Sequence, residues 1–444
     1  MAHADDEAHT SVLPSEPVDR LVGPFARFLH VEAAGGVVLL GATFSALLLA
    51  NSPLADAFLA IWKTDLTLGF GSFVMSHSLK HWISDGLMAV FFFVIGLEVK
   101  REVVQGQLRD LRTAALPMAA ALGGMLVPAG IYLALQSGEP AARGWGIPMA
   151  TDIAFVVGCM AVLGSRVPSG LRVLLLSLAI ADDIGAILVI ALGYTEQLAW
   201  GWLALGVAGI LVVWLLAKLG VRSVPAYALV GFAVWIGFHE SGVHATIAGV
   251  ILGLMTPTRA WVSTQRLKAA VDRADRFLHG EDRARSAQLA ALREMERAAR
   301  ERVSPLERLE NLLHPWQSFL IVPLFALANA GVPIEPDALR DPVGVAVALG
   351  LTVGKPLGIV TLSWLAVATG LARLPDGVSW PIVVGGGCLA GIGFTMSLFI
   401  AGLALQGDAL AAAKLGVLSG SAISAVLGMA LLMRSLPKRA PASS

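Results

Sequence analysis

SLAIADDIGAILVI, residues 177–190, is almost wholly apolar apart from two adjacent carboxylates, Asp182 and Asp183. A run of this kind reads as a helix that crosses a lipid bilayer. An ionised carboxylate at the centre of such a helix costs roughly 3 kcal/mol on insertion scales. Two of them therefore need a reason. Neighbouring helix residues point ~100° apart, so the pair cannot face one spot equally and different partners are expected for each. A permanently paired, purely structural arrangement is the plainer alternative. Ionisable groups at this depth are by default functional.

Outward from this stretch the whole chain has the same character. Of its 444 residues, 56% are hydrophobic and 14% charged, a balance too apolar for an ordinary soluble domain. Apolar runs separated by breaks predict an all-α polytopic membrane protein with twelve transmembrane helices. They are centred near residues 41, 92, 124, 152, 182, 208, 231, 249, 319, 356, 392 and 422. Continuous rather than alternating runs favour helices over a barrel. Spans seven and eight are short and separated only by FHESG. The formal net charge is zero, and no nucleic-acid partner is implied. Cys159 and Cys388 lie in apolar surroundings and imply no disulfide framework.

The basic residues set the expected orientation. Lys100, Arg101, Arg109 and Arg112 fall in one loop, Arg166 and Arg172 in the next but one, and Lys218 and Arg222 in the next but one after that. The segment 259–304, Arg373, and Arg434, Lys438 and Arg439 continue the alternation, which puts both termini in the cytoplasm. Residues 1–27 read as a disordered acidic tail and 437–444 as a second tail. Residues 28–258 read as spans one to eight, and 305–436 as spans nine to twelve. Between them, 259–304 reads as a charged cytoplasmic insertion of two amphipathic helices divided at Gly280. One carries Leu267, Val271, Ala274 and Leu278 on a face, the other Leu289, Leu292, Met295, Ala299 and Val303.

Four polar or irregular clusters interrupt the spans. In GWGIPMATDIAFVVG, residues 144–158, Gly144, Gly146 and Pro148 disturb helix geometry just before Thr151 and Asp152. This is either a capped helix start or a helix broken inside the membrane. Asp182 and Asp183 form the second cluster. The third is Lys355, a lone cation about ten residues from either end of span ten, followed by Pro356. Its obvious countercharge is one of the buried aspartates. The fourth, VVGGGCLAGIGFTMSLFI at 383–400, carries five glycines that serve either a helix break or close packing. Broken spans at corresponding positions of two repeats are the best pointer to a transporter's binding site. Asp85 opens span two, while Glu98, Lys100, Arg101 and Glu102 close it, with Glu98 and Glu102 four apart on one face.

With these residues in view, eight stretches are similar to the NhaA family of bacterial sodium/proton antiporters: MAVFFFVIGLEVKRE, IPMATDIAF, LAIADDIGAI, SGVHATIAGV, LHPW, PLFALANAGV, GKPLGI and GIGFTMSLFIA. The resemblance covers about residues 28–436, with 259–304 outside it. It implies inverted-topology repeats in spans 3–5 and 10–12, with spans 4 and 11 as discontinuous crossing helices. Asp182, Asp183 and Thr151 would hold Na+ and protons. Asp152 would offset positive helix ends at the crossing. Lys355 would offset negative ends and pair with Asp182. Glu98, Arg101, Glu102, His244 and Glu310 would belong to a pH-sensing cytoplasmic funnel, and Asp85 to the path toward the opposite face. The resemblance further implies an electrogenic exchange of two H+ per Na+ or Li+ in the bacterial inner membrane, no catalytic residues and no cofactor. A homodimer would form through an extracytoplasmic hairpin within 51–80. Because the insertion directly precedes Glu310, the pH set-point does not carry over.

Na+ is a hard cation that favours oxygen ligands. A buried carboxylate can be neutralised by such a cation or by a proton, and competition between the two makes exchange obligatory. Three other classes remain to be told apart by experiment. An intramembrane aspartyl protease would draw its carboxylates from two helices. A passive channel would conduct Na+ without proton coupling. A structural protein would show no flux.

Overall fold

The computed structural model describes residues 32–70, 73–138, 140–195, 198–279, 285–334 and 340–436. The two expected tails, and Gly280 as the divider of the insertion, lie outside the described residues. In chain order the elements are α1 (Glu32–Ala50), α2 (Ala55–Lys63), β1 (Asp65–Phe70), β2 (Phe73–Ser78), α3 (Leu79–Gln105) and α4 (Leu111–Leu135). A 3-10 stretch, Ala141–Met149, leads into α5 (Ile153–Leu163) and α6 (Ser169–Gly193). Next come α7 (Trp200–Lys218), α8 (Val224–Glu240), α9 (Ala245–Met255), α10 (Thr264–His279) and α11 (Arg285–Arg302). The chain continues through α12 (Pro305–Asn329), α13 (Pro342–Ala368), α14 (Trp380–Ala390), α15 (Phe394–Ala404) and α16 (Gly407–Ser435).

Each of the twelve expected span centres falls on or beside a helical segment, but their lengths are unequal. Among the described residues, eight helical segments are long and apolar enough to cross a membrane, or ten if two bent pairs count as single spans. One bent pair is α1 with α2, at 115°, and the other is α14 with α15, at 46°. Spans seven and eight correspond to α8 and α9, of 17 and 11 residues. At 1.5 Å per residue an 11-residue helix extends about 16 Å, half a bilayer core. The shortness expected of spans seven and eight is thus seen in both helices, and among the described residues eight to ten spans have the length and apolarity a crossing needs. The all-α class also gains an exception. β1 and β2 pair antiparallel from Asp65↔Ser78 to Phe70↔Phe73.

Glycines set how closely the helices approach. A methyl group on Gly123 of α4 would overlap the carbonyl of Gly358 on α13, and one on Gly358 would overlap that of Gly123. These two helices therefore touch backbone to backbone, as small-residue contacts in membranes allow. Gly249 meets Ala89 and Gly253 meets Gly96, so α3 and α9 run parallel. The core is continuous through the centre and includes Phe92, Phe325 and Phe399 on α3, α12 and α15, whose rings lie 5.5–6.1 Å apart. By contrast α7 exposes Leu205, Leu211, Trp214 and Leu215, an apolar outer face suited to lipid.

α12 starts with a reciprocal cap. Ser304 Oγ accepts from Glu307 N, while Glu307 Oε2 accepts from Ser304 N, both at 3.2 Å, with Pro305 at the first helical position. α10 and α11 form the expected helix pair in the insertion, joined at Arg273–Glu294. The buried face keeps Ala274 and Leu267 from the one read in the sequence but is shifted toward small residues. Leu289 and Val303 are exposed, whereas Ala270, Ala274, Ala291 and Ala298 are buried. Alanines let the two helices approach more closely than leucines would, so the small residues take the interface. The end of α11 docks on the loop before α8. Arg222 Nη1 lies 3.2 Å from Glu301 Oε2, and its guanidinium stacks on Trp261.

Candidate functional site

The site is built where three irregular backbones meet α6. Asp182 and Asp183 lie about 20 Å along α6 from its start, close to its midpoint, and are 1% and 4% exposed. On α13 the turns at Gly350–Gly354 widen to a π-type turn immediately before Lys355, a feature frequent at functional sites. The helix runs on through Pro356, so the irregularity precedes Lys355 instead of following it. Gly124 of α4 sits against Lys355 and Ile359, leaving the lysine stem a narrow channel inward.

Lys355 is fully buried. Its Nζ donates to Asp182 Oδ2 at 2.6 Å and to the carbonyl of Met149, the last residue of the 3-10 stretch. One ammonium thus answers both a carboxylate and a helix end that exposes carbonyls. The other oxygen of Asp182, Oδ1, is buried without a close hydrogen-bond partner among the described residues, with Thr151 the neighbouring polar group. Among the described residues no hydrogen bond or salt bridge reaches the Asp183 carboxylate. The neighbouring aspartates therefore have unequal surroundings, as their angular separation requires.

The two interrupted passages cross and hold each other. Extended residues 150–152 link the 3-10 stretch to α5, and residues 391–393 separate α14 from α15. Thr151 Oγ1 donates to the Ala390 carbonyl at 3.0 Å, and Asp152 N to that of Ile392 at 2.7 Å. Ser397 Oγ donates to the Ile147 carbonyl at 2.7 Å. Asp152 caps α5 through Phe155 N at 3.3 Å, and its other oxygen accepts from Thr395 N at 3.1 Å and from the Thr395 hydroxyl. A single carboxylate therefore faces the amino ends of two half-helices, where negative charge is favoured. Two buried tyrosines secure the 3-10 stretch. Tyr132 donates to the Ala141 carbonyl and Tyr194 to that of Arg143, both at 2.8 Å.

The remaining expected residues divide between the two ends of the molecule. At the carboxyl end of α3, Arg101 pairs with Glu310 of α12. Glu98 lies within electrostatic reach of both, and also of Asp183. Glu102 Oε1 accepts from Ser177 Oγ of α6 at 3.2 Å and from Gln107 N at 2.8 Å. His244 is not part of this group. Because α3 and α9 are parallel, the start of α9 lies level with the start of α3, and Ala245 packs with Met75 and Ala89. His244 is thus at Asp85's end, and its grouping with Glu98 and Glu310 is corrected. Asp85 Oδ2 lies 3.3 Å from His81 Nε2, and the Asp85 carbonyl accepts from Trp235 Nε1 at 3.3 Å.

Several participants were not singled out from sequence. Thr395 and Ser397 carry no signal beyond being hydroxyls in an apolar run. Lys414 on α16 is a second buried lysine, its Nζ donating to the Asn329 carbonyl at 2.8 Å. A lone cation in AAAKLGVLSG is the same signal that marked Lys355. The oxygens of Asp182, Asp183 and Thr151 are hard donors of the kind a small alkali cation takes.

The family model described as Na+/H+ antiporter 1 matches residues 26–432. The Na(+)/H(+) antiporter NhaA of Rhodopirellula baltica is 58% identical over 427 residues, which cover 96% of this chain and 97% of that protein. That of Rhizobium meliloti is 54% identical over 433 residues, covering 97% and 99%. A looser likeness joins the chain to the solved structure of a sodium proton antiporter from Methanocaldococcus jannaschii. It has a TM-score of 0.47 and 13% identity, and covers 95% and 100% of the two chains.

Proposed function

The chain belongs to the Na+/H+ antiporter 1 family, and on that premise we propose that it exchanges cytoplasmic Na+ or Li+ for external H+ across the bacterial inner membrane. The observation that carries the reading is the unequal pair on α6. Asp183 has no hydrogen-bond or ion-pair partner among the described residues, and Asp182 keeps one buried oxygen unsatisfied beside Lys355. A buried charge without a partner is costly. A proton or a cation at Asp183 removes that cost, and the two exclude one another. Thr151, at the crossing of the broken passages, supplies a neutral oxygen. Asp152 supplies the charge that steadies the crossing.

Two protons per Na+ require a second group that titrates. It is either Asp182, released when Lys355 lets go, or Lys355 itself. The exchange is then electrogenic. Access alternates between the faces as one bundle moves against another, with spans 3–5 and 10–12 as its inverted repeats. The Arg101–Glu310 pair, with Glu98 and Glu102, supports a pH-sensing funnel at the cytoplasmic end, because Glu98 stands between that pair and Asp183. Asp85 lies on the route to the opposite face. The distribution of Lys and Arg supports cytoplasmic termini. The hairpin of β1 and β2, with Leu66 and Val74 exposed, supports a homodimer formed through it.

The test is the purified protein in liposomes, with internal pH followed as Na+, Li+ or K+ is added. Na+ and Li+ should move protons and K+ should not. Asp183→Asn should abolish the signal, and exchange at the unaltered rate by that variant would overturn the assignment. Sodium flux that ignores the pH gradient would favour a channel instead.

A further inference from the structure

We propose that His77, His81 and His239, together with Asp85, form a binding site for a divalent transition-metal ion, Zn2+ foremost. The four side chains come from three elements: β2, the first turns of α3, and the last turn of α8. His81 and Asp85 are four residues apart and share a helix face. Each of the three imidazoles offers a ring nitrogen within 4.8 Å of the other two. His81 Nε2 and His239 Nε2 are 3.1 Å apart, and Asp85 Oδ2 is 3.3 Å from the first and 3.9 Å from the second. Ligands at 2.0–2.1 Å on a tetrahedron stand roughly 3.3–3.4 Å from one another. The separations among His81, His239 and Asp85 are therefore close to those of a ligand set, and His77, within 4.8 Å of the other two imidazoles, has to close further.

The chemistry separates this cluster from the oxygen-lined site on α6. Three imidazoles and one carboxylate suit Zn2+, Co2+, Ni2+ or Cu2+, whereas a hard cation such as Na+ gains little from nitrogen. The surroundings also hold the ligands in place. His77 stacks on His81 with ring centres 4.3 Å apart, and His239 packs on Trp235 at 5.2 Å. Trp235 Nε1 donates to the Asp85 carbonyl at 3.3 Å and Trp82 Nε1 to that of Leu66 at 3.0 Å, so indoles tie α8 to α3 and α3 to β1, where Leu66 is paired with His77 of β2. His239 Nδ1 is buried without a hydrogen bond among the described residues, and Glu240 Oε1 lies 3.6 Å from it. A carboxylate there is the usual outer partner of a metal-bound imidazole. The His81 side chain is 39% exposed, which gives an ion a way in from solvent. An ion held by Asp85 would also close the route assigned to that residue, a consequence that rests on the proposed function while binding itself does not.

The experiment uses the full-length protein without a histidine tag, stripped of metal, in detergent. Titration with Co2+ should give the intense visible absorption of a four-coordinate site, saturating at one ion per chain, and Zn2+ should abolish it. His81→Ala and His239→Ala should each weaken binding at least tenfold, and His77→Asn provides a milder variant of the same site. Thermal melting without metal confirms that the variants fold. Absence of saturable absorption in the unaltered protein would overturn the site, as would equal binding by the folded variants. In liposomes, Zn2+ on the side of the hairpin should slow exchange severalfold, and less in His239→Ala. If Co2+ binds but Zn2+ leaves exchange unchanged, the site is upheld and its place on the route is overturned. Lack of exchange with no metal present concerns the proposed function and leaves the binding result intact.

Discussion

Asp182 and Asp183 differ by one position in sequence and by their whole surroundings in space. Removing one partner of a buried ion pair typically costs 3–5 kcal/mol, because the other charge is left uncompensated. Lys355→Ala and Asp182→Asn should therefore each lower the melting temperature by several degrees in detergent. The double variant should lose distinctly less than the sum, and strictly additive losses would argue against a pair. Asp183→Asn should behave in the opposite way. It removes a buried charge that has no hydrogen-bond partner among the described residues, so melting should hold or rise while exchange is lost. A protein that keeps a destabilising group at a functional site trades stability for activity. A clear fall in melting temperature for Asp183→Asn would count against that view.

At the scale of elements, the site depends on helices that come unusually close and on two that are interrupted. The α4–α13 contact holds Lys355 against the crossing, and it has no room for a side chain at Gly123 or Gly358. Gly123→Ala should separate the two helices and lower both melting temperature and folded yield by size-exclusion chromatography. Gly130→Ala, on the same helix with open space around it, should leave both unchanged. Because alanine favours a helix over glycine, equal losses at the two positions would show that the close contact at Gly123 is not their cause. At the crossing, Thr395 is the one side chain among the described residues that donates to Asp152. Asp152 in turn bridges the starts of α5 and α15, so the broken passages act as one unit.

Across the whole molecule the titratable groups separate toward two ends. Glu98, Arg101, Glu102 and Glu310 gather beyond one side of the aspartates. Asp85, the three histidines and His244 lie on the other. If the first group senses pH, Glu310→Gln should move the pH at which exchange switches on while changing the maximal rate only a few fold. An unchanged profile in liposomes would remove that role. The insertion touches this same end, because Glu301 accepts from Arg222 and lies 3.9 Å from Arg308, near the start of α12. Glu301→Gln should loosen it, which faster proteolysis within 259–304 would report. Cleavage at the unaltered rate would show that the anchor lies elsewhere.

The amino-acid sequence by itself determined the membrane-spanning class, most of the apolar passages, and the two glycine-rich stretches near residues 150 and 390 where passages break. Those features follow from local composition, because a bilayer selects for length and apolarity, while glycine and proline act where they stand. It also marked Asp182, Asp183, Asp152 and Lys355, since a charge in hydrocarbon is conspicuous without any partner in view. Tertiary structure alone decided which aspartate meets Lys355, a partner 173 residues away. A helical period says that neighbours diverge and is silent on what each one meets. The same holds for Thr395 on Asp152, for His244 at the end of Asp85, and for the burial of Ala270, Ala291 and Ala298 at the α10–α11 interface. His77, His81 and His239 were individually unremarkable in the sequence. Only the meeting of β2, α3 and α8 makes them a cluster, because ligands must converge within a few ångströms and no local pattern encodes that convergence.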